Sequence, residues 1–106
     1  MIVTIGRVST DADKRDDLIR IAQAVARASR EEDGCIDYRV YEDTERDNDF
    51  VFVEEWESED ALQRHFAMPH LVEFMRSITG ALAGAPEVKF HTIERTVDLA
   101  DVSRAS

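Results

Sequence analysis

Residues 50–74 read FVFVEEWESEDALQRHFAMPHLVEF, which sets a carboxylate (Glu54), an indole (Trp56) and two imidazoles (His65 and His70) close together among apolar residues. Carboxylates and imidazoles accept and return protons near neutral pH once their surroundings tune them, and an indole supplies an apolar wall with a single N–H. The chemistry open to such a set is proton abstraction from a small apolar molecule kept out of water. Phe52, Phe66 and Phe74 lie in the same stretch and are candidate walls for an aromatic ring.

These groups work together only if the backbone brings them to one face. On a strand, Phe52, Glu54 and Trp56 share a side, and the expected side is the one toward the helices, whose large apolar residues need partners. Glu54 would then lie in apolar surroundings, where desolvation raises a carboxyl pKa toward the range of a general base. On the following helix Leu62, His65 and Phe66 share a face. His70 stands at the start of the next helix, one turn before Phe74. Each residue also has a structural alternative: Trp56 as core, His65 as a helix-surface residue, His70 as a cap and Glu54 paired with Arg7. A metal centre is not expected, since His65 and His70 are separated by a proline and do not share a helical face, and His91 falls on a different strand.

Stepwise changes of hydrophobic period outline the elements. Ile2, Thr4 and Gly6 alternate with Val3, Ile5 and Arg7, as in a strand covered on both sides. Ser9 or Thr10 offers an N-cap, and Leu18, Ile21, Ala22, Val25 and Ala26 keep helical spacing up to a stop at Gly34. Ile36, Tyr38 and Val40 then alternate with Asp37, Arg39 and Tyr41 in a second strand. Residues 42–49, EDTERDND, form a polar connection to a return strand over residues 50–56. Ser58 caps the next helix, and Pro69 suits the first position of another, whose buried stripe is Leu71, Phe74, Met75 and Ile78. Val88, Phe90 and Thr92 alternate with Lys89, His91 and Ile93 in a last strand. Residues 1–97 thus read as one domain and residues 98–106 as a polar, frayed tail.

The order β-α-β-β-α-α-β is that of the split βαβ, ferredoxin-like α+β sandwich, a four-stranded antiparallel sheet with helices on one face. Val51 and Val53 make the other face too apolar to stay wet, which predicts a homodimer through the sheets. A chain of 106 residues with a formal net charge of −10 is a poor fit to nucleic acid or anionic membrane. The lone Cys35 precludes an internal disulfide and suits a reducing, cytoplasmic setting, and no signal peptide or spanning segment is read. Its acidic flank, Glu31-Glu32-Asp33-Gly34, disfavours a thiolate nucleophile.

Glu32-Asp33-Gly34-Cys35 followed by Tyr38, then Glu54-Glu55-Trp56-Glu57-Ser58, Leu62, His65 and Pro69-His70 with Phe74, resemble the antibiotic biosynthesis monooxygenase family, and within it the quinol monooxygenase group. The resemblance spans nearly the whole chain. It implies a dimeric α/β barrel, an apolar pocket between sheet and helices, and oxidation of a phenol or quinol by molecular oxygen with no flavin, haem or metal. It implies His65, His70 or Glu54 as the base, and Trp56, Phe52, Phe66, Phe74 and Tyr38 around the substrate; read from pattern alone, Tyr38 is strand packing. No phosphate-cradling glycine loop is present. Gly6 and Met75 stand where the haem-degrading branch carries Asn and His, which disfavours that branch. Isomerases and signal-processing relatives share the fold, and a non-catalytic dimer binding a hydrophobic metabolite is a further alternative.

Overall fold

A computed structural model describes residues 1–104. Strand β1 (Ile2–Ser9) leads through a short 3-10 turn into helix α1 (Arg15–Arg30), followed by β2 (Cys35–Glu42), β3 (Asp49–Trp56), α2 (Glu59–Phe66), α3 (Pro69–Ile78), β4 (Glu87–Thr92) and α4 (Leu99–Arg104). The four strands form one antiparallel sheet in the order β2-β3-β1-β4. This is the ferredoxin-like arrangement expected from the element order.

Strict alternation decides which side chains meet the helices. Along β3, Phe50, Phe52, Glu54 and Trp56 are buried while the intervening residues are half-buried, and β1 buries Ile2, Thr4, Gly6 and Val8. Arg7 therefore points to the other face, opposite Val51, and Glu54 does not pair with it. Leu18, Ala22, Val25 and Ala26 of α1 join these residues in one core together with Leu71 and Ile78 of α3. Trp56 is fully buried, and its removal from water contributes up to about 5 kcal/mol by area.

Three local expectations are corrected. Neither Ser9 nor Thr10 caps α1: the Ser9 hydroxyl donates to Asp49 Oδ1 (2.7 Å), and the Thr10 hydroxyl reaches the Ala81 carbonyl (2.5 Å), tying β1 to the end of α3. In β2 a bulge between Cys35 and Asp37 inserts Ile36, which turns it outward and leaves it about half exposed, while Tyr38 stays inward. Met75 is exposed rather than buried, because α3 meets the core through Leu71 and Ile78. Within the expected tail, residues 99–104 are helical, and Asp98 Oδ1 accepts the Asp101 N–H (3.0 Å) as an N-cap would. Residues 105–106 lie outside the described part of the chain.

Two turns hold the site together. Ser58 Oγ accepts the Ala61 N–H (3.1 Å) and starts α2. Gly34 adopts φ +86, the left-handed region that a side chain resists, and its carbonyl accepts the Glu57 N–H (2.8 Å). The α1–β2 turn is thereby fastened to the β3–α2 turn. No helix among the described residues is long and apolar enough to cross a membrane.

Candidate active site

Across the helix-facing side of the sheet, Tyr38, Glu54, Thr4 and Phe90 stand directly opposite one another on β2, β3, β1 and β4. Directly opposite side chains on neighbouring strands lie about 5 Å apart, so this row runs unbroken across the sheet, buried from Tyr38 to Thr4 and half exposed at Phe90. Above it opens a mostly apolar cavity of about 720 Å³. Phe52 and Gly6 contribute to its floor, and Phe66, Leu71, Phe74 and Met75 to its helix side. Its polar lining is confined to Thr4, Tyr38, Glu54, His65 and Thr79, and no lysine or arginine lines it among the described residues. Arg64 is exposed on α2 and Arg76 on α3, and neither lines this space.

Glu54 meets the condition for a base at neutral pH. Burial pushes its carboxyl up to about 7, against hydrogen bonds from Trp56 and Tyr38 that favour the ionised form, with the charge of Glu32 adding to the rise. The Trp56 Nε1–H donates to Glu54 Oε1 at 3.0 Å. Burial, and then the Glu54 charge, carry the Tyr38 phenol above its ordinary range, so it remains an O–H donor. Burial likewise pushes the Cys35 thiol up to about 11, and Cys35 lies outside the cavity lining.

His65 is held among aromatic rings and a carboxylate. Its ring lies 4.5 Å from that of Trp56 and 5.9 Å from those of Tyr38 and Phe66, centroid to centroid. Its Nδ1 is 2.7 Å from Glu32 Oε2, and His70 Nε2 is 2.6 Å from the same oxygen. With Glu32 ionised, both imidazoles donate to it, which leaves His65 Nε2 free to accept a proton. Burial lowers the His65 pKa, Glu32 opposes that shift, and the charge of His70 adds to it.

Most of the expected residues thus gather at one cavity, with two exceptions. Glu54, His65, Phe52, Phe66, Phe74 and Tyr38 line it. Trp56 is not a wall: it is fully buried behind Glu54, because β3 ends beneath α2 there. His70 lines a separate groove with Arg20, Glu73 and Phe74, while its Nε2 reaches inward to Glu32. Glu32 was missed by sequence reasoning, where it stood in an acidic run far from either histidine. Its place in the Glu32-Asp33-Gly34-Cys35 motif was the available signal.

Glu32, His65 and His70 also form the one group among the described residues whose possible metal-ligating atoms all lie within 4.8 Å of one another. Sequence spacing sets His65, His70 and His91 apart along the chain and carries no sign of a carboxylate shared in space. The contacts themselves have hydrogen-bond lengths and meet on one oxygen, as two N–H donors on an acceptor do.

The profile of antibiotic biosynthesis monooxygenases matches residues 1–77. An uncharacterized protein, sll1783 of Synechocystis, is 38% identical over 92% of this chain and 67% of its own length. YcnE of Bacillus subtilis, a presumed monooxygenase, is 31% identical over 71% of this chain and 79% of its own. In three dimensions a presumed antibiotic biosynthesis monooxygenase from Deinococcus radiodurans superposes with a TM-score of 0.88 at 23% identity, covering 93% of this chain and 98% of that one. A variant of SnoaB, a cofactor-independent oxygenase from Streptomyces nogalater, superposes with a TM-score of 0.79 at 16% identity, covering 91% and 95%. At these identities the two structures show a common fold.

Proposed function

Since the chain belongs to the antibiotic biosynthesis monooxygenase family, we propose that it is a cofactor-independent monooxygenase that oxidises a small phenolic or quinol substrate with molecular oxygen. The observation that carries this reading is the convergence of two proton acceptors, Glu54 and His65, on an apolar cavity large enough for a fused aromatic ring system. Glu54 takes one hydroxyl proton of the quinol and His65 the other. The electron-rich anion passes an electron to oxygen, and the resulting radical pair joins at a ring carbon as a peroxide. The O–O bond then breaks: one oxygen atom stays on the ring at the quinone level, and the other leaves with two protons as water. The protein's share is to exclude water, hold the ring between Phe52 on the floor and Phe66 and Phe74 on the helix side, and hold and return the protons. Thr4 Oγ1, buried and without a partner in the protein, supplies a further polar contact at the floor.

The test is oxygen uptake by purified protein with a panel of benzo- and naphthohydroquinones, each corrected for autoxidation. Gly6→Phe supplies the control. A β-carbon at Gly6 meets only ordinary contacts, 3.7 Å to Phe52 and 3.8 Å to Val88, so the ring projects into the cavity with the fold retained. The expected outcome is saturable uptake by the native protein and at least a tenfold rise in KM in the variant, with melting temperature unchanged or slightly raised. Uptake indifferent to Gly6→Phe would move the reaction away from this cavity.

The reading extends to a homodimer through the open sheet face, in a cytoplasmic setting. Val3, Ile5, Val51 and Val53 are only half-buried there, an apolar surface that a second copy would cover. Val53→Arg is expected to shift the protein from dimer to monomer in sedimentation velocity, and a native monomer would remove this part of the proposal.

A further inference from the structure

Glu32 presents one oxygen, and therefore one negative charge, to two imidazoles on two different helices. Its side chain is 4% exposed, that of His65 3% and that of His70 25%. His65 lines the cavity, whereas His70 lines the groove on the other side of α3. The carboxylate therefore sits between the cavity and the groove, hydrogen-bonded to a ring that lines each.

We propose that Glu32 couples protonation of His65 at the cavity to deprotonation of His70 at the groove, so that a proton taken up inside is matched by one released outside. A lone buried carboxylate stabilises one neighbouring imidazolium well; a second would be an uncompensated charge in a poorly solvated place. The exchange starts with the imidazolium on His70, the more exposed ring. When His65 Nε2 binds a proton, the His70 Nδ1–H bond breaks and that proton passes to groove water. His65 Nδ1–H and His70 Nε2–H go on donating to Glu32 Oε2 throughout. One proton enters, one leaves, and the net charge of the trio stays at zero.

The direction of the His65 shift agrees with this: burial lowers its pKa, Glu32 raises it and the His70 charge lowers it again. The other charged or titratable groups nearby are Glu54 and Tyr38 on the strands beneath His65, Cys35 at the start of β2 and Arg64 of α2 beside the Glu32 turn, and Arg20 of α1 and Glu73 of α3 beside His70. None of these bonds to either ring. The use of the exchange in turnover rests on the oxygenase reading, in which His65 is a proton acceptor. The coupling itself does not. Glu32 is accordingly a positioning residue, acting through His65.

The experiment is a pH titration of the ¹⁵N-labelled imidazoles by NMR in the native protein, in His70→Gln and in Glu32→Gln. In the native protein each ring is expected to show a two-step curve with an inflection at the other's midpoint. Removing the competitor in His70→Gln is expected to raise the His65 midpoint by about one pH unit. Removing the shared charge in Glu32→Gln is expected to lower it. Two independent single-step curves in the native protein, or an unmoved His65 midpoint in His70→Gln, would overturn the coupling. So would a divalent metal retained one per chain on these residues, since nitrogens that ligate a metal cannot carry those protons. If the native protein takes up no oxygen with any quinol, only the oxygenase reading fails, and the titration still decides this one.

Discussion

Glu54→Gln is expected to lower kcat for a quinol substrate about a hundredfold or more and, in the same protein, to raise the melting temperature at pH 8. The two effects have one cause. The Glu54 carboxyl is held at about 7 by burial, against an ordinary value of 4.5. Between those values the folded state binds a proton that the unfolded state has lost, so Glu54 reduces stability progressively as pH rises from about 4.5 to about 7, and fully above that. The displacement amounts to about 3 kcal/mol for this buried group, or roughly 10–20 °C in a domain of this size. Glutamine carries no charge, and its Oε1 still accepts the Trp56 N–H, so the variant recovers much of that stability. Below about pH 4.5 the two proteins should melt alike. Thermal denaturation across pH 4–8, set beside oxygen uptake, checks both parts. Unchanged turnover would exclude Glu54 as the base, and a pH-independent difference in melting temperature would deny its buried titration.

Gly34→Ala carries the second large effect, on stability. Alanine at φ +86 is strained by about 1–3 kcal/mol, and the new β-carbon would stand 2.5 Å from Ala61 Cβ, far inside contact distance. Overpacking of this kind adds about 1–3 kcal/mol. The sum predicts a loss of about 2–6 kcal/mol, or roughly 10–40 °C in melting temperature. Ala61 lies one turn before His65, and Gly34 two residues after Glu32, so any relaxation of the clash separates the carboxylate from its imidazoles. The double variant Gly34→Ala, Ala61→Gly removes the collision and leaves the backbone strain. It should regain part of the loss, a non-additivity that chemical denaturation can measure. A loss in Gly34→Ala below about 0.5 kcal/mol would show that this turn is not held as described.

Much of the fold was legible because local rules and the global arrangement agree. The alternation of Phe50, Phe52, Glu54 and Trp56 assigns β3 its inner face whatever surrounds it, and Ser58 and Pro69 mark helix starts by their own chemistry. Where local rules offered more than one outcome, packing chose. Thr10 has the makings of a cap, yet its hydroxyl serves Ala81, because the end of α3 lies against β1. Ile36 fits the apolar face of β2, yet a bulge expels it.

For the candidate site the division follows the reach of each interaction. Periodicity over a few residues was enough to place Phe52 and Glu54 on the inner face of one strand, and Leu62, His65 and Phe66 on one helix face; Thr4, on a strand far off in sequence, joins the row only through pairing. Periodicity carries no distances between elements. That Trp56 would lie behind Glu54 rather than beside the substrate space, that His70 would face a second groove, and that Glu32 would accept from both imidazoles are outcomes of how α2 and α3 settle on the sheet. Composition and pattern thus determined the architecture, the apolar character of the cavity and the presence of a carboxylate and an imidazole on its inner faces. Only the tertiary structure decided which of those groups share a wall and which share a proton acceptor, because hydrogen bonds act over about 3 Å and the chain brings Glu32 and His65 that close only once the core has packed.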